Sequence, residues 1–157
     1  MAKIPELKTG QMVTLAYFIG IIIILFVVYK VLAKFGIIKT AAAKAQEAKE
    51  AASVNEIRTG DFFDPEYWKT KSGFNKLGAE QAAEYASDIY GSIYWRINTN
   101  SEKIFSTFGK LTNKTQISEI ADQYKQKYDR DLQASLLNNL NEGHIAELTD
   151  IINLLQN

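Results

Sequence analysis

The chain has 157 residues in which 18 lysines and arginines balance 18 aspartates and glutamates, with one histidine and no cysteine. That balance leaves no global field to draw nucleic acid or multivalent cations, and the missing thiols exclude disulfide staples, thiolate metal sites and cysteine nucleophiles. Once a membrane segment and a linker are set aside, room remains for one soluble domain of about 70 to 95 residues.

Residues 1–11 form a polar flank with Lys3 and Lys8. Residues 12–29, MVTLAYFIGIIIILFVVY, carry no charge. As a helix they reach about 27 Å, and about 33 Å when continued to Ala33, the thickness of a bilayer core. The pattern predicts a single transmembrane helix over 12–34. A core helix apolar on every face needs more surrounding protein than this chain supplies. The run is also longer than a signal-peptide core, and Lys30, Lys34 and Lys39 follow it. Tyr17 and Tyr29 are expected at the two membrane interfaces, with Lys30 and Lys34 reaching toward headgroups. Lysines 30, 34, 39, 44 and 49 outnumber the two on the N-terminal flank, which places the C-terminal domain on the positive, cytosolic side in a cell.

Residues 35–59 are rich in alanine, lysine and glutamate, and their propensity and charge spacing predict a helical stalk that needs little packing. A coiled-coil seam is the rival, and with it a homo-oligomer, but the seam positions would be mostly alanine. Residues 60–78 read as an aromatic linker that opens with DFFDPEYWK. Asp64 before Pro65 suits a helix cap. Phe62, Phe63, Tyr67 and Trp68 either pack on the soluble domain as its lid or form a candidate partner surface.

From Ala79 to the end at 157, helical periodicity recurs in five pieces. Ala82, Ala86, Ile89 and Ile93 share one face. Thr99 and Glu102 fit a capping box ahead of Ile104, Phe108 and Leu111. Thr112 or Asn113 precedes Ile117, Ile120, Ala121, Tyr124 and Tyr128, and Asp131 caps the helix with Leu132, Leu136 and Leu140. Gly143 breaks the pattern before Ile145, Leu148, Ile152 and Leu155. The expected fold is all-α.

The order of these helices, with NTNSEKIF, TQISEIADQYKQKYDRDL and LLNNLNEGHIAEL, resembles a single annexin repeat over about Ala79 to Leu155. The first family motif survives in Thr99, Glu102 and Ile104, and the second in Tyr128, Arg130, Asp131 and Leu132. The resemblance implies a calcium loop, but its two glycine positions fall on Arg96 and Asn98 and its carboxylate position on Asn139. Calcium requires six to eight oxygen ligands with carboxylate charge among them, so these degenerate positions are expected to hold no metal. On overall pattern the chain also resembles small structural proteins of bacterial viruses.

Catalytic signals are sparse. His144 follows Gly143 at a helix start, Asp129 and Asp131 fit a turn and a cap, and Glu80, Glu84 and Asp88 have the spacing of a solvated face. None of the zinc-protease, hydrolase, phosphate-loop or dinucleotide signatures is present. Lys110, Lys114, Lys125 and Lys127 suggest a basic patch, yet Tyr124 and Tyr128 between them lie on the apolar stripe, so no nucleic-acid partner is expected. The expectation is a protein without enzymatic activity, cofactor or metal, partnered by a lipid bilayer and a protein assembly. A membrane-containing virion with its capsid proteins is the favoured setting, and the alternative is a cellular envelope adaptor or a calcium- or anionic-lipid-responsive module.

Overall fold

The computed structural model describes the backbone of residues 9–34, 41–94 and 97–157, and the side chains of these residues from Ile19 onward except Ala33. Regular structure there is helical: α1 (Thr9–Lys34), α2 (Ala41–Thr59), two 3₁₀ turns (Asp61–Phe63 and Tyr67–Thr70), α3 (Ala79–Tyr94), α4 (Ser101–Phe108), α5 (Thr115–Tyr128), α6 (Leu132–Asn139) and α7 (Glu142–Asn153). Among the described residues there is no strand, only an isolated bridge between Asn113 and Gln156. The chain divides into two compact units, Met1–Gln46 and Glu47–Asn157.

In the first unit α1 runs for 26 residues. Its apolar side chains stand exposed from Ile19 to Val31, Ile22 and Ile24 to 64%. Among the described residues no helix is long and apolar enough to cross a membrane. Residues 12–18, which begin the uncharged run, lie outside the described side chains.

The second unit contains a complete core. α3 lies mainly against α5 and also touches α4; α4 meets α7, and α5 meets α6 and both 3₁₀ turns. The apolar stripes expected from the sequence supply that core: Ala82, Ala86, Ile89, Ile93, Ile104, Phe108, Leu111, Ile117, Ile120, Ala121, Tyr124, Leu132, Leu136, Leu140, Ile145, Leu148 and Ile152 are buried, while Tyr128 and Leu155 are half-buried against it.

Two expectations need correction. The stalk expected over 35–59 is not free over its C-terminal part, because Ile57 and Ser53 are buried and Val54 packs on the core. These positions recur at helical spacing within an otherwise polar run, so one face of α2 has somewhere to pack. Gln133 Nε2 donates to Ile57 O (2.7 Å), Lys49 pairs with Asp150 (2.8 Å) and Asn153 Nδ2 donates to Glu56 Oε2 (3.4 Å). The buried face is therefore unavailable as a coiled-coil seam. The segment 60–78 is likewise no linker: Phe62 and Phe63 are core residues, their ring centroids 5.0 Å apart. Gly60 permits this approach, since a Cβ there would stand 2.5 Å from the Phe62 ring.

The capping chemistry is partly displaced from its expected positions. Asp131 caps α6 by accepting from Ala134 N (2.7 Å). α4, however, is capped by Asn100, which accepts from Lys103 N (3.1 Å), and not by Thr99. With the cap at Asn100 the third helical position is Lys103, whose side chain has no acceptor, so no reciprocal capping box forms, and the Asn100 N–H donates instead to Ser92 O (2.9 Å). At α5, Asn113 Oδ1 accepts from Thr115 Oγ1 and from Gln116 N. Gly143 sits inside the first turn of α7, whose cap is Asn141, accepting from His144 N (2.8 Å). Asp64 Oδ1 accepts from Glu66 N (2.9 Å), but the helix it introduces is a 3₁₀ turn.

Truncating Ile57 separates a docked α2 from a free stalk. Ile57→Ala is expected to cost about 2–5 kcal/mol through the cavity it leaves, read as a lower urea midpoint by tryptophan fluorescence. An unchanged midpoint would return α2 to the role of a spacer.

Candidate functional site

The positions aligned with a calcium loop do not come together as one. Arg96 lies outside the described residues, Asn98 is exposed, and Asn139 donates its Nδ2 to Ser135 O (2.8 Å), turning its amide onto its own helix. Among the described residues no group of three or more histidines, aspartates or glutamates is placed to hold a metal ion. Asp129 has φ 49° and ψ 38°, the left-handed conformation expected of it as the residue that ends α5. Its carboxyl is held below the usual range by a hydrogen bond from Lys125 Nζ (2.6 Å) and that ammonium's charge. His144 meets Phe105 edge-on at 5.9 Å.

At the membrane-interface positions, Tyr29 is exposed, Lys30 Nζ stands 5.5 Å from the Phe26 ring centroid, and exposed Lys34 closes α1. Tyr17 lies outside the described side chains. The candidate partner surface divides: Phe62 and Phe63 belong to the core and offer no anchor, whereas Tyr67 and Trp68 are half-buried. Lys71 lies over Tyr67 (4.7 Å), and Lys76 and Lys69 lie over Trp68 (4.8 and 5.7 Å).

Trp68 is positioned by α5. Its backbone N–H donates to Ser118 Oγ (3.0 Å), and that hydroxyl donates to Asp64 O. Further along, the buried Glu119 carboxylate accepts from Leu77 N and Gly78 N (3.2 Å each), and Asn75 O accepts from Asn113 Nδ2 and Gln116 Nε2 (3.0 Å each). Beside this seam lies a cavity of about 130 Å³ bordered by Trp68, Lys76, Ala82, Glu119, Asp122 and Gln123. Ligand pockets for drug-sized molecules run to about 300–1,000 Å³.

The densest functional-looking cluster is one that residue spacing only half revealed. Tyr90 and Tyr94 on α3 meet Tyr124 and Tyr128 on α5: Tyr90 and Tyr128 stack at 3.8 Å, and Tyr124 meets Tyr128 edge-on at 5.4 Å. Arg130 lies 4.6 Å over Tyr94 and donates to its hydroxyl (3.3 Å), which donates to Ser135 Oγ (3.3 Å). Tyr124 and Tyr128 fall on the expected stripe. Tyr90 and Tyr94 repeat the same four-residue spacing, and that repetition was the signal for a paired aromatic face. Tyr124 Oη is buried with no hydrogen-bond partner among the described residues, and the neighbouring Ser135 Oγ donates to Asp131 O (2.7 Å). Burial, the largest influence, pushes the Tyr124 hydroxyl up to about 12.

The four lysines proposed as a basic patch fall at opposite ends of α5, Lys110 and Lys114 before its first turn and Lys125 and Lys127 in its last. From Lys114 to Lys125 the helix rises about 16 Å. At the far end Lys125 pairs with Asp129 (2.6 Å) and Lys127 donates to Ser87 Oγ (2.7 Å), while Lys110 and Lys114 lie over Tyr85 and Phe62. Comparison with protein-family models, curated proteins and solved structures gives no match to this chain.

Tyr124 is expected to ionise near pH 12. The sign follows from linkage. The folded state keeps a proton that the unfolded state loses near pH 10, so the contribution is complete below pH 10 and is lost as pH rises toward 12. Tyr124→Phe removes the unpartnered hydroxyl and should flatten this alkaline loss, measured by urea midpoints between pH 9 and 11.5. An unchanged slope would show that Tyr124 does not carry it.

Proposed function

We propose that the protein is a single-pass membrane-anchored structural protein whose Glu47–Asn157 domain links a bilayer to a protein assembly, in the setting of a membrane-containing virion. One observation carries the proposal. The uncharged run 12–29 lies within a 26-residue helix whose apolar side chains are exposed on all sides from Ile19 to Val31. An all-round apolar surface of that kind is stable only in an apolar surrounding, and residues 12–33 reach about 33 Å as a helix.

Charge supports the same division of labour. Residues 1–46 carry six lysines against one glutamate, whereas 47–157 carry 12 lysines and arginines against 17 aspartates and glutamates. The domain is thus repelled by anionic headgroups, and adhesion falls to α1 and its flanking lysines. The sequence resemblance of residues 79–155 to an annexin repeat enters the reading in the same way, with the carboxamide of Asn139 standing where the resemblance would require a carboxylate. Membrane attachment is therefore assigned to α1 independently of calcium, and the repeat-like domain to packing and protein contacts.

Full-length protein should remain in the membrane pellet through alkaline carbonate, high salt and chelator. Ile23→Lys places a charge at the centre of the run, which costs about 2.5–3.5 kcal/mol of insertion free energy, and should shift protein to the carbonate supernatant. Release of the wild-type chain by carbonate would sink the spanning assignment.

A further inference from the structure

We infer that residues 64–78 form a strap that opens as a unit while the helical core of Glu47–Asn157 stays folded. The second 3₁₀ turn at Tyr67–Thr70 is its only regular structure. Among the described residues 64–77 form no backbone-to-backbone hydrogen bond with α3 to α7. Their polar attachment to the core runs through side chains of α5 and the residues just before it: Ser118 at Trp68 and Asp64, Asn113 and Gln116 at Asn75 O, Glu119 at Leu77 and Gly78.

The surface beneath the strap is unusual for an interior. Asn113, Gln116, Ser118 and Glu119 are all at most 6% exposed. If the strap lifts, these groups exchange protein partners for water, whereas the opening of an apolar seam loses the whole transfer free energy. The 130 Å³ cavity along the seam shows that the two surfaces do not close tightly. Each end has an identifiable pivot. Phe62 and Phe63 anchor the chain in the core before the strap begins, and Gly78, at φ +83° with open space around it, leads into α3. Gly73, at φ +84°, offers a second flexible point within the strap. Opening uncovers Trp68 and the cavity wall and touches the helical ladders only at the Gly78 pivot, whose carbonyl accepts from Ala82 N (3.0 Å), so the strap is a built-in conformational device on one side of α5.

Hydrogen exchange of the full chain in detergent micelles across low urea concentrations tests this directly. The amides of Trp68, Leu77 and Gly78 should exchange at least tenfold faster than those of Ile89 and Ile120, and their rates should be insensitive to urea, because local opening exposes little surface. Glu119→Gln should raise exchange at Leu77 and Gly78 by a further tenfold or more relative to the core amides. Strap amides that exchange at core rates with the urea dependence of the core would overturn the inference, whether or not the Glu119 variant folds.

Discussion

The domain depends on one helix being buried on two chemically different sides. α5 packs Ile117, Ile120, Ala121 and Tyr124 into the core, chiefly against α3, and packs Gln116, Ser118 and Glu119 against the segment 61–78. The first side is held by the transfer of apolar surface from water. The second is tolerated because the buried Gln116, Ser118 and Glu119 side chains each have partners: a carboxylate with both oxygens engaged by backbone N–H groups avoids the penalty of an uncompensated charge, and on this side only the Trp68 indole Nε1 is left buried without a partner among the described residues. The chain N-terminal to α3 in this unit is placed by that polar face, by core packing of Ile57, Phe62 and Phe63, and by hydrogen bonds from Gln133 and Thr149 and the Lys49–Asp150 pair that dock α2.

Much of this was legible in the sequence wherever information is local. Apolar stripes at helical spacing identified almost the whole core, and Asp131 and Asp129 declared their cap and turn roles through short side chains acting within three or four residues. Elsewhere the decisive partner lies far along the chain. Ser118 and Trp68 are 50 residues apart, and Gln133 and Ile57 are 76 apart. No periodicity marks such pairs, so 60–78 resembled a linker and 35–59 a stalk. The cap one residue later than expected is a local matter: Asn100 accepts from Lys103 N, while its own N–H reaches Ser92 O across the α3–α4 turn. Glu119 was hidden because a charged residue inside a helical pattern ordinarily faces solvent.

The functional account joins two features that share little chemistry. α1 exposes apolar side chains from Ile19 to Val31, the surface on which the proposed anchoring rests. The acidic domain carries specific shape: a cationic and aromatic face around Trp68, a stacked tyrosine cluster capped by Arg130, and a strap held by side chains alone. Such a distribution is what the proposed bilayer-anchored protein with selective protein contacts requires.

Because the chain has no cysteine, single cysteines report their surroundings without background. Ile23→Cys, mid-way along α1, and Leu154→Cys, at a position 86% exposed in the domain, can be treated with a membrane-impermeant maleimide in sealed vesicles. The account predicts that the residue-23 thiol is protected until detergent is added, and that the residue-154 thiol labels from one side of the membrane only. Ready labelling at residue 23 in intact vesicles would contradict it.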